Sequence, residues 1–147
     1  GVIKPEATFS TCFGAPFMPR HPSTYATLLG QRMLNDNVKA WLINTGWSGG
    51  PYGIGERVKI SHTRSMIRAV LSGSMDTVST YEDPIFRVDV PESCPDVPDG
   101  ILRPRDTWPN SDGYDEQAKL LARMFQDNFS SFADQVSLEV LNSGPHA

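Results

Sequence analysis

Ala40-Trp41-Leu42-Ile43-Asn44-Thr45-Gly46-Trp47-Ser48-Gly49-Gly50-Pro51-Tyr52-Gly53-Ile54-Gly55-Glu56-Arg57-Val58 is the stretch on which the reading of this chain turns. It opens on an apolar run, the pattern of a buried strand. Glycines then stand at 46, 49, 50, 53 and 55, where side chains would keep the backbone from turning tightly or approaching a ligand. The alternation Glu56-Arg57-Val58-Lys59-Ile60 reads as a second strand, and a helical pattern follows. Strand, glycine loop, basic residues and helix together suit a small anion held close to backbone. The plainer alternative is a wide hairpin whose glycines take positive φ. A P-loop is excluded, because no Gly-Lys followed by Ser or Thr is present. A dinucleotide fingerprint is excluded because a strand, not a helix, follows the glycines.

Outward from that loop, the pattern is mixed α/β. Residues 1–21 hold Pro5, Gly14, Pro16 and Pro19, and no long helix fits; Thr8 to Phe13 suits a strand or an ordered loop. His21-Pro22 starts a helix, since proline at the first helical position loses no hydrogen bond. Tyr25, Leu28, Leu29 and Met33 form its apolar face, and Asn35-Asp36-Asn37 ends it. Val38 to Ile43 is the expected buried strand. After the loop, Ser61 is the expected N-cap of a second helix. Its apolar face is Met66, Ile67, Val70 and Leu71, and Gly73 is its stop. Residues 74–84 read as turns, and Ile85 to Val90 as a strand by its period of two. Residues 91–111 carry five prolines and form an ordered excursion anchored by Ile101, Leu102 and Trp108. Residues 112–134 are the clearest helix. Asp112 is its expected cap, Asp115 and Glu116 favour its first turn, and Ala118, Leu121, Ala122, Phe125, Phe129 and Phe132 make a core-facing stripe.

Composition limits the functions available. A chain of 147 residues suits one domain. Apolar content of 39% and charged content of 20% describe a globular protein. A net charge of −4 argues against broad binding to nucleic acid or an acidic membrane, which needs a basic face. No apolar run approaches the roughly 20 residues of a membrane span. Cys12 and Cys94 form no metal or disulfide framework and read as free thiols.

His21, His62 and His146 show no metal-ligand spacing, and His62 reads as a surface or capping residue. No carboxylate pair or nucleophile elbow suggests catalysis. No catalytic residue and no metal ligand is therefore assigned. Arg64 and Arg68 share a helix face and read as solvated. Arg57 differs, because it leaves a glycine loop where a planar guanidinium can reach a phosphate or carboxylate.

Five motifs now resemble, in order, the C-terminal part of ATP-dependent phosphoenolpyruvate carboxykinase. They are Ala7 to Gly14, His21-Pro22, Asn44-Thr45-Gly46-Trp47, Gly55-Glu56-Arg57-Val58 with Thr63-Arg64, and Pro104-Arg105-Asp106-Thr107-Trp108. The likeness runs from Gly1 to about Phe132. It implies part of the C-terminal mononucleotide-binding domain of that fold, with 1–21 following the mobile lid and 22–90 forming the helix, strand and glycine-loop unit. The family is a gluconeogenic carboxy-lyase, in the cytoplasm. It decarboxylates oxaloacetate and transfers the γ-phosphoryl group of ATP, giving phosphoenolpyruvate, ADP and carbon dioxide, with Mg2+ and Mn2+ neutralising charge.

On that resemblance Arg57, Val58 and Thr63 line the nucleotide pocket. The P-loop, the metal ligands and the oxaloacetate-binding arginines are expected upstream of Gly1. The chain alone is then expected to be inactive and to form one wall of the site beside a missing N-terminal portion. The inserted Gly49-Gly50-Pro51-Tyr52 resembles one subgroup, and Glu56 replaces a lysine common in relatives. Two rivals stand beside this: a stand-alone anion- or nucleotide-binding module, and a structural piece that binds nothing.

Overall fold

A computed structural model describes residues 8–10 and 14–147. The expectations that fall on 1–7 and 11–13, Cys12 included, lie outside the described residues. The architecture is helical with two small sheets. Helix α1 runs Pro22–Asp36, α2 Ile60–Leu71, α3 Asp99–Leu102, α4 Pro104–Thr107, α5 Ser111–Phe129 and α6 Leu138–Asn142. Strands β1 (Trp47–Ser48) and β2 (Glu56–Arg57) pair antiparallel, as do β3 (Thr80–Glu82) and β4 (Asp89–Pro91).

Local chemistry explains most of the helix ends. Pro22 opens α1, and His21 caps it by accepting the Ser23 N–H on Nδ1 at 3.3 Å. Asn37 closes it in the left-handed region, φ 50°. Helix α2 starts at Ile60 rather than after Ser61, with Lys59 at the cap position and no side-chain cap. The reason is upstream. The Val58 N–H donates to the Gly46 carbonyl at 2.9 Å, which carries the hairpin to the edge of the helix. Gly73, φ 75°, ends α2 as expected, with Ser74 N–H bonded to Ala69 O and Gly73 N–H to Val70 O. Helix α5 is capped by Asn110, whose carbonyl accepts the Asp112 N–H at 3.0 Å; Asp112 is inside the helix, not its cap.

One expected strand did not form, and another formed only at its end. Residues 38–44 belong to no strand or helix, with Trp41 packed on the core and Leu42 88% exposed. An apolar run becomes a buried strand only when other strands accept its backbone groups, and among the described residues none lies beside it. Residues 85–88 form a turn, not a strand. The Asp83 carboxylate accepts the N–H groups of Ile85 and Phe86 at 2.9 and 2.7 Å, folding the chain back on itself. Pairing therefore keeps only the end of the alternation, at Tyr81↔Val90 and Glu82↔Asp89, and extends past it to Thr80↔Pro91, with the partner strand at residues 80–82, which read as turns in the sequence.

The core is small. Ala69, Met75, Cys94 and Val97 are buried, with Trp41, Met66, Val70, Ile101 and Leu102 among the residues packed on them. Of the expected α2 face, Met66 and Val70 turn inward, while Ile67 and Leu71 are exposed. Burial pushes the Cys94 thiol pKa up. Ala118 and Ala122 are buried along α5, but Phe125 is exposed and meets Phe9 edge to face at 5.1 Å. Helix α5 stops at Phe129, and Phe132 lies in the tighter 3-10 turn that follows. The C-terminus returns to the body. His146 N–H donates to Ile85 O at 2.7 Å, and Gln126 Nε2 to Pro145 O at 2.9 Å.

The excursion is tied to α5 by a two-pronged pair. Arg105 Nε and Nη2 donate to the Asp115 carboxylate at 2.8 and 2.9 Å. That hydrogen bonding holds Asp115 below, and Arg105 above, the usual value. A depressed carboxylate pKa adds stability that is present above the unfolded value of about 3.9 and is lost as pH falls through the folded value. Asp115→Asn is therefore expected to lower the melting temperature slightly at pH 7. The variant and the parent should converge below about pH 3, checked by thermal melts followed by circular dichroism across that range. Equal melting temperatures at pH 7 would show that the pair contributes nothing.

Candidate nucleotide-binding cleft

The glycine loop folds as a hairpin braced from two sides. Gly49, Gly50 and Gly53 take φ of 79°, 150° and 89°, conformations that L side chains rarely adopt. The Gly55 N–H and Ile54 N–H both donate to Pro51 O, at 2.9 and 3.0 Å. From the excursion, Thr107 Oγ1 accepts the Gly49 N–H at 3.0 Å and the Ser48 hydroxyl at 3.2 Å, and donates to Pro104 O at 2.7 Å. The motif at 104–108 thus clamps the loop, a role the linear sequence did not suggest. The signal was the pairing of a proline-set helix start with a hydroxyl three residues on.

Register then places Trp47 opposite Arg57 and Ser48 opposite Glu56. Arg57 lies over the Trp47 ring, 5.6 Å from its centroid, and Trp47 meets Tyr52 edge to face at 5.6 Å. Adjacent strand residues point to opposite faces, so Glu56 turns away from Arg57. Neither forms an ion pair among the described residues, and Glu56 leaves the Arg57 guanidinium unneutralised.

A cleft of about 550 Å³ opens between this hairpin, the start of α2 and the excursion, lined by Arg57, Val58, Lys59, His62, Ile101 and Thr107 among others. Arg57 and Val58 therefore share one cleft. The Val58 N–H is committed to Gly46, which leaves its carbonyl to offer. Thr63 follows His62 on α2, half-buried, and is not part of the lining; its hydroxyl makes no hydrogen bond among the described residues. Arg64 and Arg68 stay exposed. Among the described residues no group of three or more His, Cys, Asp or Glu could hold a metal ion. Among the described residues no helix is long and apolar enough to cross a membrane.

A second cleft of about 540 Å³ lies between the β3–β4 turn, α4 and α5. Its polar groups mostly serve one another. Arg105 is bound to Asp115, Arg103 lies over the Tyr81 ring at 5.9 Å, and the Tyr81 hydroxyl donates to Leu102 O. Burial pushes the Tyr81 and Tyr114 phenols up. That is the chemistry of a packed joint.

Residues 1–100 match the family model of phosphoenolpyruvate carboxykinase. The chain is 50% identical over 145 residues to phosphoenolpyruvate carboxykinase (ATP) of Caldanaerobacter subterraneus subsp. tengcongensis, covering 99% of this chain and 28% of that protein. It is 49% identical over 145 residues to the Salinibacter ruber enzyme, phosphoenolpyruvate carboxykinase (ATP) 1, covering 99% and 27%. With the Geobacillus thermodenitrificans enzyme it shares 52% identity over 133 residues, covering 90% and 25%. The chain thus spans about a quarter of the length of the curated relatives it matches, and the matched part is their C-terminal portion.

Proposed function

The chain belongs to the phosphoenolpyruvate carboxykinase family, and from that we propose that it forms one wall of the ATP site of an enzyme converting oxaloacetate and ATP to phosphoenolpyruvate, ADP and carbon dioxide. The observation that carries this is Arg57, held over Trp47 at the cleft and free of any acidic partner among the described residues. Its guanidinium face stacks on a nucleotide or its fork bonds to one. In this reading the Val58 carbonyl and the Thr63 hydroxyl supply the directional contacts, Thr63 from outside the cleft's lining, next to His62.

The phosphate cradle, the divalent metal ligands and the groups that hold oxaloacetate belong, in this reading, to the portion that the relatives carry outside the matched quarter. ATP brings the phosphoryl group; this chain's residues orient its nucleoside end and keep water from that side. That remaining portion is also the partner that covers the exposed apolar faces, and the assembled enzyme works in the cytoplasm.

A few hydrogen bonds at about 1 kcal/mol each, without a phosphate cradle, correspond to a dissociation constant near millimolar or weaker. Titration of the chain with ATP, followed by Trp47 and Trp41 emission, is expected to half-saturate no lower than about 1 mM. Arg57→Ala is expected to weaken that binding about tenfold. Saturation at micromolar ATP would establish a stand-alone module instead. A wild-type titration curve from Arg57→Ala would favour the purely structural piece.

A further inference from the structure

His62 is the third residue of α2 and lines the same cleft as Arg57 and Val58. Its Nδ1 is buried with no hydrogen-bond partner, and its Nε2 makes no hydrogen bond among the described residues. The two ring nitrogens of a neutral imidazole differ, one a donor and the other an acceptor. A buried N–H without an acceptor is rarer and worse than a buried lone pair without a donor. The lone pair therefore belongs on the enclosed Nδ1 and the proton on Nε2, the nitrogen not enclosed. His62 then adds an unused, directional donor to the cleft wall.

The cleft that His62 shares is lined by the apolar side chains of Ile54, Val58, Pro98 and Ile101 and by the charged side chains of Glu56, Arg57 and Lys59. With the Glu56 carboxylate also in the lining and the Val58 N–H already bonded to Gly46 O, the apolar part of this wall suits a flat heteroaromatic ring better than a phosphate, which needs several cations or backbone donors. We propose that His62 is a specificity-determining residue of the nucleotide wall, donating from Nε2 to the N1 acceptor of an adenine base. Guanine carries an N–H at that position, so the donor meets a donor and the wrong base is left unpaired. The inference rests on the proposed function and adds the residue that reads the base.

The chain has three histidines, at 21, 62 and 146, so 15N-imidazole spectra resolve each one. The free chain is expected to show His62 in its Nε2–H form. Added ADP should shift the His62 ring signals and leave those of His21 and His146 in place. GDP should need about five times the concentration. His62→Ala should weaken ADP binding about fivefold and erase the preference over GDP. His62→Gln, whose amide nitrogen falls near the position of Nε2, should keep it. An Nδ1–H form in the free chain would overturn the proposal. So would a Trp47 response to ADP while the His62 ring signals stay still. If neither Trp47 nor His62 responds at tens of millimolar ADP, the nucleotide-wall reading itself fails, and the base-reading role falls with it.

Discussion

Gly55→Ala is expected to abolish the response of Trp47 to nucleotide and to open the β1–β2 hairpin, while α5 remains helical. A methyl group at this position would press against the Gly50 carbonyl oxygen, 2.6 Å from Ser48 O and 2.8 Å from Gly50 N. All three are backbone atoms, so no side chain can rotate away to make room. The loop would have to widen. The Gly55 N–H to Pro51 O bond and the Trp47↔Arg57 pairing would be lost, and Arg57 with them from its place over the indole. Overpacking of this kind costs about 3 kcal/mol, a large share of the roughly 7–20 kcal/mol scale set by 0.05–0.15 kcal/mol per residue.

Two controls separate this from a general sensitivity of glycines. Gly100 has nothing within 4 Å of an added Cβ, so Gly100→Ala should leave the response intact although Gly100 also lines the cleft. Gly53 also has open space but takes φ 89°, so Gly53→Ala should cost only about 1 kcal/mol through backbone strain. Wild-type nucleotide binding and hairpin contacts in Gly55→Ala, by titration and nuclear Overhauser effects between Trp47 and Arg57, would refute the loop's role.

The second large effect concerns association. Purified alone, the chain is expected to self-associate in a concentration-dependent way at tens of micromolar. Helix α1 buries none of its residues, and Leu28, Leu29 and Leu34 are 54%, 58% and 86% exposed. Leu42, on the unpaired run beyond α1, is 88% exposed. Burying each leucine gains about 1.5–3 kcal/mol. Four of them outweigh the lower end of the roughly 4–15 kcal/mol lost in association. Changing Leu28 and Leu42 to lysine should move the chain toward monomer in sedimentation velocity at equal concentration, with little change in the melting temperature. Adding a polypeptide that carries the rest of a relative's length should compete with self-association and raise the melting temperature. A parent chain that stays monomeric at several hundred micromolar would mean that these faces need no cover.

The turn chemistry and the family's motifs were legible in the residues themselves. Pro22 and Gly73 marked helix ends, the glycines marked the hairpin, and Gly55-Glu56-Arg57-Val58 with Thr63-Arg64 marked the family. These are local effects, set by dihedral preference and by hydrogen bonds a few residues long. The failures were of another kind. Val38 to Ile43 has every feature of a buried strand and lacks neighbouring strands. Ile85 to Val90 alternates correctly, but Asp83 captures its first N–H groups. Pairing and burial depend on what stands across from a residue, and the linear pattern carries no record of that.

By itself, then, the sequence determined the family, the three long helices and the hairpin that presents Arg57, but not the short helices α3, α4 and α6. Only the tertiary structure decided that Thr107 clamps the glycine loop and that His62 shares a cleft with Arg57. It also decided that the α1 face is left uncovered. The Thr107 clamp spans 58 residues of chain, and the cleft joins groups from three separate segments; such contacts exist only once the chain has folded and the loop entropy has been overcome.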